Sequence, residues 1–151
     1  MKNLKNISFF FVIALAITTI GNVLNSTFLF TYLQTNIISL LITLLAINTA
    51  TSGLIASKIQ DFVIQKPEID FSPTIKEMKA SLFEQIILII ISVISLIIQN
   101  SKKIELEFKD DICNIILITV FIYAIDILWD TGKAVFVIIE EIQKLNNNKN
   151  K

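Results

Sequence analysis

Histidine and arginine are both missing from this chain: His is counted at 0, and every one of the 13 Lys plus Arg positions is Lys. Without His the commonest general base is gone, and with it the Ser-His and Cys-His nucleophile systems and His-ligated zinc or haem. Without Arg there is no planar guanidinium fork to grip phosphates or base edges, and the formal net charge is +0, so nucleic acid is not an expected partner. A single cysteine, Cys113, excludes an intrachain disulfide and any multi-cysteine metal or iron-sulfur site, and is expected to act as a small apolar filler. Only 3 Gly occur, and the phosphate loop, the dinucleotide glycine fingerprint, the EF-hand and the nucleophile elbow are all absent. The expectation is a protein with no cofactor, no metal and no enzymatic activity.

Charge is scarce too, at 17% of 151 residues, while apolar residues reach 54% and the mean hydropathy is +0.71. A soluble domain is about 45 to 50% apolar even with Gly counted. The excess calls for an apolar solvent. We expect an all-α membrane protein: a bundle of four transmembrane helices within one domain, residues 1–145, with a cytoplasmic loop and an amphipathic C-terminal helical extension, followed by a disordered tail at 146–151.

The spans are expected at about 7–27, 37–58, 82–99 and 112–129. The second is the clearest, uncharged until Lys58 and close to the ~20 residues that cross a ~30 Å hydrocarbon core. The first also invites reading as a cleavable signal, but its apolar run continues into Gly21-Asn22-Val23-Leu24-Asn25 and a second run, Phe28 to Leu33, instead of ending at a small-x-small site. Between the second and third spans, Lys58 to Lys79 holds both prolines with four Lys and four acids, a loop pattern in which Ser72-Pro73 reads as an N-cap and first helical residue. Ser101 to Asp111 alternates at period two around Ile104, Leu106 and Phe108, which suggests a short extended segment.

Orientation follows from Lys in the short connections: two before the first span, none between Ser26 and Asn36, four in Lys58 to Lys79, three in Ser101 to Asp111, and four from Lys133 onward. By the positive-inside rule both termini and the central loop are cytoplasmic. The Ile-, Asn- and Lys-rich composition suggests an AT-rich bacterial genome, hence a multi-pass protein of a bacterial inner membrane.

Four groups of residues carry the functional expectations. Asp126 is an ionisable residue well inside an apolar run, where a carboxylate is costly enough to suggest function, and Tyr123, Asp130 and Lys133 share its helical stripe. The alternative is a membrane exit near Trp129, with water reaching Asp126 whether or not anything is conducted. Thr18, Asn22 and Asn25 fall at i, i+4 and i+7 in the first helix and need hydrogen-bond partners, for which Asn48 and Ser52 of the second helix are the expected counterparts. Ala46, Ala50, Gly53 and Ser57, joined by Thr49, form small-residue rows suited to close helix contact, within one chain or between copies. The small four-helix multidrug exporters match in size but depend on a membrane Glu in their first helix, and this first helix has no acid.

Three non-enzymatic functions fit these residues. The first is a self-associating component, partnered by membrane lipid and by copies of itself, that alters membrane permeability as a pore-like effector of the kind used in bacterial defence or lysis. The second is an anchor for a cytoplasmic protein, held through the Lys58 to Lys79 loop and the Lys133 to Lys144 segment. The third, a proton- or cation-coupled carrier using Asp126, lacks a second deep acid in another span. The topology itself is testable by labelling introduced cysteines in a background with Cys113 replaced. A Cys between Ser26 and Asn36 should react only from outside and one at Gln65 only from inside; the reverse pattern at either position contradicts the topology.

Overall fold

The computed structural model describes the backbone of residues 2–65 and 70–149 and the side chains of residues 7–64 and 70–140. These residues form four helices and no strand: α1 (Lys2–Val23), α2 (Phe28–Gln65), α3 (Ser72–Gln99) and α4 (Lys109–Lys149). Three of them carry stretches long and apolar enough to cross a membrane, Phe28–Ile64, Ser72–Gln99 and Lys109–Glu140. In α1 the apolar stretch is the shorter Ile7–Val23. At 1.5 Å per residue this reaches only about 25 Å, whereas α2 and α4 run to roughly 60 Å and must project beyond a ~30 Å core.

Helix persists further than sequence patterning indicates. Phe28 to Asn36, counted above with the first connection, is the first part of α2, and most of the Lys58 to Lys79 loop is helical, with only residues 66–71 between α2 and α3. Pro67 lies outside the described residues. α4 continues through Lys149 and takes in most of the tail expected to be disordered, while residues 150–151 lie outside the described ones. Propagation explains all three: once a helix is nucleated each further residue adds a hydrogen bond, so polar residues without breakers extend it.

The ends are made differently from the expectations as well. Ser72 is not the N-cap of α3: the cap position is Phe71, and the backbone N–H of Ser72 donates to Asp70 Oδ1 at 2.9 Å. Hydrogen bonding from Ser72, side chain first and backbone second, holds the Asp70 carboxyl below its ordinary value. The Asp70–Ser72 contact is therefore complete above the usual carboxylate range and is lost as pH falls through the lowered value. No strand forms in Ser101 to Asp111; Lys109 Nζ donates to the Ser101 carbonyl at 2.9 Å and closes the connection as an irregular loop. Isolated two-residue alternation without a partner strand has nothing to pair with.

Packing is centred on α4. α2, α3 and α4 pack mutually, while α1 lies against α4 and makes no comparable contact with α2 or α3 among the described residues. The buried positions follow from this arrangement. α1 buries a single line, Phe10, Ala14 and Thr18, because it has one partner. α4 buries Cys113, Asn114, Leu117, Ile118, Val120, Ala124, Ile127 and Thr131, a broad band that meets neighbours on several sides. α2, α3 and α4 thus form the mutually packed core, with α1 along one edge.

α3 is inverted relative to a helix in water. Its enclosed face carries Gln85, Leu88, Ser92 and Ser95, with Ser81 and Gln99 extending the same three-and-four spacing, while Phe83, Ile86, Ile90, Ile94 and Ile97 point outward. Water-soluble helices bury the opposite set. Exposed threonines elsewhere solve the same problem locally: the hydroxyls of Thr19, Thr35, Thr43, Thr49 and Thr51 each donate to the carbonyl four residues earlier, at 2.8–2.9 Å.

The turn joining α1 to α2 has one demanding residue. Asn25 sits at φ 50°, with its N–H donating to the Asn22 carbonyl at 3.1 Å and the Ser26 N–H to the Gly21 carbonyl at 2.9 Å. This pair of bonds is a Schellman C-cap, with Asn25 as the left-handed residue. Asn25→Gly should therefore leave stability in detergent within a few tenths of a kcal/mol of the parent, whereas Asn25→Val should cost about 1–2 kcal/mol. Equal thermal stability of the two variants would show that the left-handed geometry is not what holds this turn.

Candidate functional site

Polar residues border two clefts toward opposite ends of the molecule, and others lie along the enclosed face of α3. Near the α2–α3 connection, a cleft of about 480 Å3 lies between α3 and α4, with Glu77, Glu84, Tyr123, Asp126 and Asp130 in its wall. At the other end a second cleft of about 480 Å3 is bordered by Asn22, Gln34, Asp110, Asp111 and Asn114. Both hold carboxylates, and among the described residues neither is lined by a lysine. Like charges gathered in a concave wall raise the local concentration of cations. No group of three or more Asp, Glu or Cys among the described residues is arranged to hold a metal ion.

In the first cleft, the Tyr123 hydroxyl donates to Glu84 Oε2 at 2.8 Å and so ties α4 to α3. The helical stripe that places Tyr123 and Asp126 three residues apart aims both at the start of α3, where Glu84 arrives one turn after Ala80. Asp130 lines the outer part of the cleft and accepts from Lys133 Nζ at 3.0 Å, an exposed pair worth no more than about 1 kcal/mol. Lys133 also sits 5.3 Å from the centre of the Trp129 ring. Phe10 of α1 meets the Tyr123 ring at 5.9 Å between centroids. Tyr123, Asp126 and Asp130 are thus brought to one cleft, while the Lys133 ammonium is engaged at its rim.

The first-helix residues find partners other than Asn48 and Ser52. Thr18 donates to the Ala14 carbonyl within its own helix at 2.9 Å, Asn22 Nδ2 donates to Asp111 Oδ1 of α4 at 3.3 Å, and Asn25 caps the helix. Asn48 turns instead to α3, its Nδ2 donating to Gln85 Oε1 at 3.0 Å and to Ser81 Oγ at 3.1 Å. The reason is placement: α1 packs on α4, while this part of α2 lies against α3. Ala46, Ala50, Gly53 and Ser57 are all exposed, and open space surrounds the position of a side chain at Gly53, so among the described residues this small-residue row makes no close contact.

Several residues of the seam were not singled out by pattern alone. Asn114 Oδ1 accepts from Gln34 Nε2 of α2 and from Gln99 Nε2 of α3, both at 3.1 Å, which makes it the meeting point of three helices. Ser95 Oγ reaches the Cys113 carbonyl at a long 3.5 Å. Ser52 Oγ, Ser92 Oγ, Gln85 Nε2 and Asn48 Oδ1 are enclosed without a hydrogen-bond partner. Glu84 belongs to the same set of surprises. The available signal was Ser81, Gln85, Ser92, Ser95 and Gln99 recurring at three- and four-residue spacing within a run of isoleucines.

Asn114→Leu should remove two interhelical hydrogen bonds and strand two amide donors, at a cost of about 1–2 kcal/mol in an unfolding titration in micelles. An unchanged midpoint would mean that Gln34 and Gln99 are equally well satisfied elsewhere.

No protein-family model matches this chain, and no curated protein or solved structure is similar to it, so its residues and their geometry alone bear on what it does.

Proposed function

We propose that the protein lies in a bilayer as a small multi-pass component that self-associates and raises permeability to small cations. The observation that carries this reading is the pair of acidic clefts toward opposite ends of the molecule, together with the enclosed polar face of α3, whose Gln99 reaches Asn114 at the edge of the second cleft. Ionisable residues within a membrane helix are costly and often mark ion paths, and Glu84 and Asp126 both stand in the first of these clefts. Ser92 and Asn48 are fully enclosed, so in a single chain the seam is closed, and Leu88 interrupts it between Gln85 and Ser92. Opening requires α3 to shift against α2 and α4, and the unpartnered hydroxyls and amides along the seam lower the cost of hydrating it.

Self-association is assigned to the outward row Ala46, Ala50, Gly53 and Ser57, because small side chains let two helix backbones approach and nothing within the chain occupies that face. The orientation expected from the Lys distribution, in a bacterial inner membrane, places the Asp126 cleft on the cytoplasmic side. A second reading, an anchor for a cytoplasmic protein, is favoured by the far part of α4, where Phe136, Val137 and Ile139 are exposed beyond the core.

Potassium efflux from liposomes carrying the purified protein separates the two. The permeability reading predicts efflux above empty liposomes, a fall of about tenfold in Ser92→Leu, equivalent to ~1.4 kcal/mol on the barrier, and weaker cation over anion selectivity in Asp126→Asn. Both variants should insert normally, since Asp126→Asn removes a charge whose insertion costs about 2.5 to 3.5 kcal/mol and Ser92→Leu makes its span more apolar. Gly53→Leu should reduce oligomer size in native mass spectrometry without disturbing the single chain. Parent liposomes no leakier than empty ones would refute the permeability reading.

A further inference from the structure

The α1–α2 turn carries an apolar flank beside the second polar cleft. Exposure reaches 75% at Val23, 69% at Leu24 and 77% at Phe28, whose ring stacks on Tyr32. No charged residue occurs between Lys5 and Lys58, so nothing in this turn obliges it to lie in water. Its backbone is provided for as well: the N–H groups of Leu24, Asn25 and Ser26 donate to the carbonyls of Ile20, Asn22 and Gly21. Backbone satisfied in this way tolerates a layer poor in water. The apolar stretch of α1, Ile7–Val23, falls short of a ~30 Å core and draws the turn toward the hydrocarbon.

The cleft next to this flank has groups of two kinds. Asp110 and Asp111 stand in its wall, and neither has an ion pair among the described residues; Lys109, beside them in sequence, donates to the Ser101 carbonyl instead. Asn114, also in the wall, is 6% exposed. Its Oδ1 is taken twice, by Gln34 and Gln99, whereas its Nδ2 hydrogens meet no acceptor among the described residues. A buried donor left without an acceptor is costly, and the cleft is the open space that this residue borders.

We propose that the turn and the cleft together bind a phospholipid whose headgroup ends in a primary ammonium. The ammonium lies against Asp110 and Asp111, a phosphate oxygen accepts from Asn114, and an acyl chain covers Val23, Leu24 and Phe28. Charge complementarity selects this occupant. An anionic headgroup brings further negative charge to two carboxylates, and a quaternary ammonium has no N–H to donate to them. A soluble amine fills the cleft but leaves the apolar flank bare. The inference rests on the bilayer placement proposed above and on neither self-association nor an open seam.

Native mass spectrometry of the full chain tests this, in micelles doped equally with phosphatidylethanolamine, phosphatidylcholine and phosphatidylglycerol of identical acyl chains. The parent should retain one phosphatidylethanolamine per chain, at least about tenfold over either competitor. Asp110→Asn changes an exposed side chain and should already narrow that preference; adding Asp111→Asn, which keeps an oxygen for Asn22, should abolish it. Leu24→Ser with Phe28→Ser leaves the cleft intact and should lower phosphatidylethanolamine retention about tenfold. Lipid retained by the parent without headgroup preference, or a preference that survives loss of both carboxylates, would overturn the proposal and leave the bilayer placement standing. Displacement of the lipid by millimolar ethanolamine, with the serine variant behaving like the parent, would assign the cleft to a soluble amine and overturn it too. A chain that stays soluble without detergent and retains no lipid of any class would sink the bilayer placement together with this inference.

Discussion

Amide side chains enclosed among the helices hydrogen-bond across to neighbouring helices, and in this protein those contacts set how α2, α3 and α4 sit against one another. Asn48 reaches Gln85 and Ser81, while Asn114 receives both Gln34 and Gln99. These contacts pin the core at two levels, one toward each end. Apolar packing cannot do this alone, because an isoleucine gains as much from a lipid tail as from another isoleucine. Between the levels Leu33, Ile37, Leu41, Leu88, Leu117 and Ile118 fill the interior and supply shape, not register.

Contacts of the same kind make α4 the pivot. Asn114, Tyr123 and the Cys113 carbonyl present polar groups to α2 and α3, and α4 carries polar contacts to every other helix, through Asn22 and Asp111 on the α1 side. In α1, Thr18 is satisfied within its own helix and Asn22 bonds to Asp111 of α4. α1 rests on α4 by Phe10, Ala14 and Thr18, and the gap it leaves beside α3 creates an apolar groove in which Glu84 and Tyr123 are also found. One tyrosine–glutamate hydrogen bond stands where a polar cleft and an apolar groove meet.

Much of this architecture can be read from the chain and part of it cannot, for physical reasons. Runs of apolar residues about twenty long report helices and their number, because only a helix satisfies its own backbone over that length. Where those helices stop is less legible: Phe28 to Asn36 and Lys58 to Gln65 look like connections by polarity, yet helix propagates through them. The enclosed face of α3 is hidden because isoleucines surround it on all sides, and only the spacing of Ser81, Gln85, Ser92, Ser95 and Gln99 betrays it. Asn25 looks like a member of an i, i+4, i+7 stripe, whereas a residue tolerant of φ 50° was needed to end α1. Partner choice is the hardest part. Asp126 and Tyr123 are conspicuous on one helix, but that Glu84 of α3 joins them depends on which helices become neighbours, and no single-helix pattern contains that information.

The central claim is that α3 turns its polar face inward and its isoleucines toward lipid. Nitroxide scanning along residues 83–98 in liposomes, in a background with Cys113 replaced, measures this directly through collisions with oxygen, which concentrates in hydrocarbon, and with a water-soluble nickel chelate. Labels at Ile86, Ile90, Ile94 and Ile97 should be open to oxygen and closed to nickel, and labels at Gln85, Ser92 and Ser95 should be shielded from both. A profile of opposite phase, or one in which the isoleucine positions meet nickel more than oxygen, would contradict it.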